Sequence, residues 1–384
     1  MIKIDRANLK AFLSPSKRDL EAELSDGLEG VVAADTVLSE VDGHAGRLII
    51  RGHSLDDLAG RATFEAVTHL LWDGFFDDLP RDLAPALGAA RAEVFAEVAA
   101  LDTGLLDRTP IEGMRALTAR LADGDDLNTA LRLAAAASVF TAAVVRAQAG
   151  EAPVAPDMAL SHAADTLRML RGKAAAPAEV AALDTYLVTV SDHGLNASTF
   201  AARVIASTLA GLGSAVLGGI SALKGPLHGG APGPVIDMLD AIGRPENARA
   251  WIEDALDHGE RLMGFGHRVY RVRDPRADAL KKAVKRLTDG SNIMPGRLAF
   301  AEAVEAAALA ILRERKPNRP LDTNVEFYTA LLLEALAYPP SAFTCVFATG
   351  RVVGWLAHAR EQVVGGRLIR PASRYIGPMP LEAA

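Results

Sequence analysis

Apolar residues recur at helical spacing from Thr63 almost to the C-terminus, and this pattern limits what the chain can fold into more than any other feature. Glycine and proline interrupt it at intervals, as expected where one helix ends and another begins. In contrast, residues 31–32 and 48–50 are short β-branched runs on either side of an Asp42-Gly43 turn. That pattern predicts strand, turn and strand. The sequence therefore predicts a mostly α fold with a small N-terminal β-hairpin.

Residues that favour helix ends mark the boundaries of the predicted helices. Ser54, followed by two aspartates, is typical of an N-cap, and Pro110 suits the first turn of a helix. Gly150 and Gly172 are expected to end helices. The predicted helices cover residues 64–72, 83–101, 128–148, 159–170, 177–190, 234–242, 248–257, 278–287, 298–316, 325–336 and 343–364.

The helices that follow Gly233 are shorter than those before it, and long apolar helices return after residue 325. This change predicts a small domain at 229–325, inserted between two parts of a larger helical domain at 1–228 and 326–384. An active site is expected in the cleft between the two domains.

The composition excludes several classes of protein. Half of the 384 residues are apolar, the net charge is −7, and Cys345 is the single cysteine. The acidic balance argues against a general nucleic-acid or membrane-surface binder. One cysteine cannot form an intrachain disulfide or a zinc site with several thiolates. The N-terminus has no long apolar secretory segment, so a cytoplasmic enzyme is expected.

Residues 204–223 carry no charge and are long enough to span a bilayer. Much of this run is alanine, glycine and serine, which favours close contact between helices over contact with lipid. We predict a buried core helix or a subunit-interface helix here.

Three histidines lie at glycine-, proline- or asparagine-marked breaks between helices, where side chains are presented by the backbone. His228 lies within KGPLHGGAPG, His267 follows Gly264-Phe265-Gly266, and His193 lies within SDHG. The glycines around His267 indicate backbone held close to a ligand. An ordinary loop histidine is the alternative interpretation of each, since a lone histidine is a weak signal.

Charged residues in unusual surroundings complete the candidate set. Residues 261–286 contain nine Lys or Arg and two Asp, a formal +7, which favours an anion site over a solvated helix face. Arg351 lies in the otherwise apolar stretch 345–354 and needs an anionic partner if it is buried. Glu326, in the first turn of an apolar helix, is either a helix-stabilising acid or a general base.

The motifs for P-loops, dinucleotide binding, zinc proteolysis (HExxH) and serine hydrolysis (GxSxG) are missing from the sequence. Instead, the chain resembles the citrate synthase family, including the 2-methylcitrate synthases. The resemblance covers nearly the whole chain and is carried by GVVAADTVLSEVDG, LIIRGHSLDDL, SDHGLNAST, GPLHGGAPG, GFGHRVYRVRDPR, NVEFYTALLL and FATGRVVGWLAHAREQ, with Arg370-Pro371 near the end.

This resemblance implies a two-domain, mostly helical homodimer. It further implies condensation of oxaloacetate with acetyl-CoA or propionyl-CoA and hydrolysis of the adduct to release CoA, with no cofactor or metal. His228 would bind the thioester carbonyl and stabilise its enol, His267 would polarise the oxaloacetate carbonyl and protonate it, and Glu326 would remove the thioester α-proton. The residues implied to bind substrate are His193, Asn196, Arg276, Arg351 and Arg370, the last from the other subunit, and those implied to bind CoA are Arg268 and Arg271.

One position departs from the family pattern. Citrate synthases usually have NVDFY, whereas this chain has NVEFY, so the implied base is one methylene longer. Either the backbone is set back to compensate, or the enzyme is slow or prefers another acyl-CoA. Three interpretations therefore stay open beside citrate synthase: a 2-methylcitrate synthase, a citryl-CoA lyase, and a weakly catalytic protein that binds CoA or a dicarboxylate.

Overall fold

A computed structural model describes residues 26–28, 30–229, 232–267, 270, 272–289, 296–318, 321–375 and 377. The chain divides into two compact units, one made of residues 37–368 and the other of residues 1–36 with 369–384. All the helices and strands named below belong to the first unit. The predicted domains at 1–228, 229–325 and 326–384 stay a prediction.

The described residues are mostly helical, as predicted. The helices are α1 (Leu55–Leu58), α2 (Phe64–Trp72), α3 (Ala84–Val94), α4 (Thr103–Leu106), α5 (Pro110–Thr118), α6 (Leu127–Gln148), α7 (His162–Arg171), α8 (Pro177–Val190), α9 (Ala197–Ala206), α10 (Leu212–Leu223), α11 (Pro232–Ile242), α12 (Ala248–Asp257), α13 (Pro275–Asp289), α14 (Arg297–Arg315), α15 (Val325–Ala335) and α16 (Phe343–Gly365). Ser54 caps α1 by accepting from the Asp57 N–H, and Gly172 ends α7 in a left-handed conformation.

The sheet is antiparallel, with strands β1 (Ser39–Asp42), β2 (Arg47–Ile50) and β3 (His53–Ser54) in sequence order. The carboxylate of Asp42 accepts from the main chain of His44 and Ala45, which closes the predicted turn. The expectation of a strand at residues 31–32 was wrong, because residues 31–36 have no regular secondary structure and β1 begins at Ser39. Val32 is 84% exposed, so burial of its side chain does not stabilise a strand there.

The apolar run 204–223 is not one helix, which corrects the prediction. Helix α9 ends at Ala206 and α10 begins at Leu212, with Gly211 at a φ of 97° between them. The carboxylate of Asp123 accepts from the Gly213 and Ser214 N–H groups and thereby caps α10 from a distant part of the chain. A Cβ at Gly211 would overlap that carboxylate, so glycine is required there.

Helix α16 lies at the centre of the core and is buried along nearly its whole length. It packs against α6, α8, α9 and α10, and Trp72 on α2 donates to the Val353 carbonyl at 3.0 Å. Among the described residues, α6 is the one helix long and apolar enough to cross a membrane, and 78% of its most apolar window is buried in the protein. That burial is typical of a core helix.

Gly354 allows α16 to approach the end of α8, and we predict that Gly354→Ala destabilises the protein. A Cβ there would overlap the Ser191 carbonyl oxygen, so the helices must separate at a cost of about 1–3 kcal/mol. Chemical denaturation measures the loss. Gly365→Ala, in the same helix with no atom within 4 Å of the new Cβ, is the matched control. Equal stability of the two variants would contradict the prediction.

Candidate active site

The loop that carries His228 follows α10 and is fixed by main-chain contacts. The His228 N–H donates to the Gly225 carbonyl, and the Gly229 N–H donates to the Leu223 carbonyl, both at 2.9 Å. A Cβ at Gly229 would lie 2.7 Å from the Leu223 oxygen, so only glycine fits. The backbone thus presents the His228 ring, as the surrounding glycines and proline predict.

Ser198, in the first turn of α9, is the hydrogen-bond partner of His228, with 2.8 Å between Oγ and Nε2. The same oxygen accepts from Trp355 Nε1 at 3.2 Å and lies 2.8 Å from Asn196 Oδ1. A serine hydroxyl has a single proton, so it donates either to Asn196 or to His228. When it donates to His228, a neutral ring carries its own proton on Nδ1.

The loop that carries His267 requires its two glycines. Gly264 and Gly266 have φ of 86° and 82°, and a Cβ on them would meet Phe327 at 3.0 Å and Leu321 at 2.8 Å, respectively. The sequence pattern indicated a ligand against this backbone. The structure places other parts of the chain there instead.

That contact joins the His267 loop to the start of α15. The Gly266 N–H donates to the Asp322 carbonyl at 2.7 Å, and the Asn324 N–H donates to the Gly264 carbonyl at 2.9 Å. The side chain of Asn324 donates to the Gly266 carbonyl and also accepts from the Glu326 N–H, which caps α15. Glu326 and His267 are therefore positioned by one hydrogen-bonded unit.

The main-chain N–H of Tyr270 assigns the ring proton of His267. Its Nδ1 accepts from the Tyr270 N–H at 3.0 Å, so a neutral ring carries the proton on Nε2. Arg276 Nη2 lies 3.2 Å from this Nε2. Both are donors in that state, and an oxygen placed beside them can accept from both. The His193 ring lies edge-on to His267 with 5.7 Å between centroids.

Burial keeps all three candidate histidines neutral at neutral pH. Loss of solvent, reinforced by nearby guanidinium groups, lowers the pKa of His228 and of His267 to about 4. The same causes, chiefly burial and then Arg276 and Arg351, hold the pKa of His193 well below its usual range. Each ring can thus donate one hydrogen bond without carrying a charge.

Two buried arginines face this group of histidines. Arg276 is held by Asp274 through Nε at 3.0 Å and Nη2 at 2.8 Å, and this carboxylate raises the arginine pKa although burial opposes it. Arg351 donates through Nε to the Val190 carbonyl at 2.5 Å, while its Nη2 has no hydrogen-bond partner among the described residues. Burial lowers the pKa of Arg351 to about 10. A buried guanidinium with an open N–H group suits an anionic ligand.

Glu326 lies in the same electrostatic environment. Burial raises the pKa of its carboxyl to about 7; Asp274 adds to that shift, whereas Arg276 and Arg351 oppose it. Its carboxylate makes no hydrogen bond or ion pair within the described part of the chain. A carboxylate with a pKa near neutrality suits proton removal at neutral pH.

The remaining residues implied to bind substrate or CoA lie in different surroundings or outside the described residues. Asn196 caps α9 by accepting from the Ser198 and Thr199 N–H groups, so its observed contacts are structural. Arg370 is exposed and belongs to the unit outside 37–368. Arg268 and Arg271 lie outside the described residues. The part of the chain that the structure describes has no group of three or more His, Cys, Asp or Glu that could hold a metal.

Much of the positive charge of residues 261–286 is paired within the protein. Arg273 forms ion pairs with Asp278 and Glu305, and Lys281 pairs with Glu302 and Glu305. The local excess in the sequence is therefore partly balanced by acids on α14. Within the described residues, the interpretation as an anion site is best supported at Arg276.

Sequence reasoning missed Glu305, which organises the segment around Glu326. Its buried carboxylate accepts from Tyr328 Oη at 2.5 Å and Thr323 Oγ1 at 2.7 Å, on either side of Glu326. It also accepts from Arg273 at 3.0 Å. The available signal was an acid within the apolar stripe of an Ala-rich helix. Asp274, Tyr270 and Ser198 were also missed, and their roles depend on contacts across the fold.

This helical fold places neutral histidines and buried arginines beside Glu326, whose carboxyl has a raised pKa, and so defines an enzyme that handles an anionic substrate by acid–base chemistry. The family model described as "Citrate synthase, C-terminal domain" matches residues 27–372. The chain belongs to the citrate synthase family, and it is therefore an acyltransferase that converts the acyl group into an alkyl group on transfer.

Individual relatives agree with this placement. The citrate synthase of Haloferax volcanii is 39% identical, over 94% of this chain and 98% of the relative. The 2-methylcitrate synthase of Mycobacterium tuberculosis is 36% identical, over 97% of this chain and 95% of the relative. One solved structure with a similar fold is citrate synthase from Thermoplasma acidophilum, in a ternary complex with carboxymethyl coenzyme A and oxaloacetate. It superposes with a TM-score of 0.82 at 28% identity, over 94% of this chain and 98% of that chain.

The raised pKa of Glu326 predicts a pH-dependent gain in stability from Glu326→Gln in the ligand-free protein. The fold disfavours the ionised form of Glu326. The protein therefore loses stability as the pH rises from 4.5, the ordinary pKa of a glutamate, through about 7, the pKa of Glu326 in the folded state. Glutamine does not ionise. We expect equal melting temperatures below pH 4.5 and a higher one for the variant above pH 7.

Thermal unfolding across this pH range measures the difference. The same replacement at exposed Glu260 is the matched control. A pH-independent difference between wild type and Glu326→Gln would contradict the raised pKa.

Proposed function

We propose that the protein condenses oxaloacetate with acetyl-CoA and hydrolyses the resulting citryl-CoA to citrate and CoA. The observation that carries this proposal is the joint placement of Glu326 and His267 by one hydrogen-bonded unit, beside two buried arginines. The Thermoplasma complex with oxaloacetate and a CoA analogue supports the same pair of substrates.

Enol formation is the difficult step, because a carboxylate is too weak a base to deprotonate a thioester unaided. Glu326 would remove the α-proton, and His228 would donate an N–H to the thioester carbonyl as negative charge develops there. Because Nε2 of His228 is occupied by Ser198, that donor must be Nδ1–H. Ser198 then has to donate to His228, which makes it the residue that selects the tautomer.

The dicarboxylate would be bound by Arg276, Arg351 and His193. Its ketone oxygen would accept from Nε2–H of His267, which leaves the carbonyl carbon open to the enol carbon. A carbon–carbon bond forms, and the ketone oxygen takes the His267 proton. Water then gives a proton back to His267 as its oxygen attacks the citryl thioester. The C–S bond breaks, and the departing CoA thiolate takes the proton held by Glu326. Exclusion of water before that point would protect the enol.

The same proposal covers the choice of thioester, the alternative activities and the residues that bind CoA. A 2-methylcitrate synthase using propionyl-CoA is the second candidate, supported by the 36% identical relative. Two less favoured candidates are a citryl-CoA lyase and a weakly catalytic protein that binds CoA or a dicarboxylate. Arg268 and Arg271 are proposed to bind CoA. The reaction is proposed to need no cofactor and to serve the tricarboxylic acid cycle in the cytoplasm.

Release of CoA thiol from acetyl-CoA and from propionyl-CoA, with and without oxaloacetate, distinguishes these candidates. We expect oxaloacetate-dependent release, and the higher kcat/KM identifies the preferred thioester. Glu326→Gln should lower kcat by about 10²- to 10⁴-fold, the usual contribution of a general base. Near-normal turnover in that variant would show that Glu326 is not the base. A wild-type protein without oxaloacetate-dependent release would favour the binding protein.

We also propose a homodimer in which Arg370 completes the site of the other subunit. Co-expression of Glu326→Gln with Arg370→Ala provides the test. In a shared-site dimer, half of the molecules are mixed and one of their two sites is intact, so about a quarter of the wild-type activity returns. Each variant expressed alone is the control. No recovery from a verified mixed dimer would place Arg370 in its own subunit's site, or outside the site.

A further inference from the structure

Tyr270 is buried, at 3% exposure, among three residues assigned to the dicarboxylate. Its ring centroid lies 5.6 Å from that of His193 and 4.9 Å from that of His267. The guanidinium carbon of Arg276 lies 5.8 Å from the centroid of the Tyr270 ring. The side chain therefore packs against all three residues at once.

Tyr270 also forms hydrogen bonds to two of them, through different atoms. Its main-chain N–H donates to Nδ1 of His267 at 3.0 Å, and its hydroxyl lies 3.1 Å from Nε2 of His193. The first contact persists whatever side chain occupies position 270, as long as the loop keeps its course. The second depends on the phenol hydroxyl alone.

Counting protons shows what the second contact provides. Neutral His193 has one ring proton and the phenol has one, and a single proton lies between Nε2 and Oη. The other is left on His193 Nδ1 if the phenol donates, or on Oη if His193 donates. Burial raises the pKa of the Tyr270 hydroxyl above its usual range, so the phenol stays protonated at neutral pH. In both arrangements the pair keeps one donor for an anion.

We propose that Tyr270 is a positioning residue for the dicarboxylate, whose hydroxyl fixes the orientation of His193 while its main-chain N–H leaves the His267 proton on Nε2. This inference rests on the proposed function. Tyr270 thereby links His193, which binds a carboxylate, to His267, which polarises the carbonyl.

Tyr270→Phe tests the role of the hydroxyl, since the ring and the main-chain N–H remain. We expect KM for oxaloacetate to rise about 3- to 10-fold, as for the loss of one hydrogen bond. The values of kcat and of KM for the thioester should change less than about twofold. Tyr338→Phe is the matched control, because it removes a buried hydroxyl that has no hydrogen-bond partner among the described residues.

A double-mutant cycle with His193→Ala tests whether the hydroxyl acts through His193. In that background, Tyr270→Phe should raise the oxaloacetate KM no further. Full additivity would overturn the proposal. A lower melting temperature with an unchanged oxaloacetate KM in Tyr270→Phe would also overturn it, because the residue would then serve packing alone.

Ligand binding separates this inference from the proposed function. The rise in melting temperature caused by oxaloacetate reports affinity without turnover. If the wild-type protein is stabilised by oxaloacetate but releases no CoA, the proposed reaction fails, and a smaller stabilisation of Tyr270→Phe still supports the positioning role. If the wild-type protein turns over and Tyr270→Phe matches it in both KM and oxaloacetate stabilisation, only this inference fails.

Discussion

The site depends on the hydrogen bonds that the carboxylate of Asp274 accepts. Asp274 is 1% exposed and accepts four hydrogen bonds, three from Arg276 and one from the Val325 N–H. Burying a carboxylate costs free energy unless hydrogen-bond donors pair it, and these four donors pair Asp274. This pairing fixes the start of α13 to the start of α15, and so places Arg276 and Glu326 relative to one another. Burial raises the pKa of Glu326, and the negative charge of Asp274 adds to that rise.

Burial acts on the acid and on the histidines in opposite directions, and the proposed chemistry needs both effects. Loss of solvent disfavours every charge, so it lowers the pKa of His228 and His267 and raises that of Glu326. Neutral rings donate hydrogen bonds, and a carboxylate of raised pKa is a stronger base. One physical cause thereby prepares both sides of a proton transfer.

The run at residues 204–223 shows where sequence patterns mislead. Its composition is uncharged and rich in small residues, which predicts one long helix, yet the chain breaks near Gly211. Local sequence contains no charge to signal the break, because the capping group is Asp123, about ninety residues away. The His267 loop differs from expectation in the same way. Its glycines were recognised as special, but the atoms they approach belong to residues 321 and 327.

The sequence by itself determined the helical class, most helix boundaries, the family and the three histidines at breaks between helices. These are local signals: apolar periodicity, capping residues, and glycine or proline beside a polar side chain. Tertiary structure alone decided the partners of two of those histidines, namely Ser198 for His228 and Tyr270 for His193. It also decided the pKa values, because they depend on exclusion of solvent and on charges brought together from distant parts of the chain.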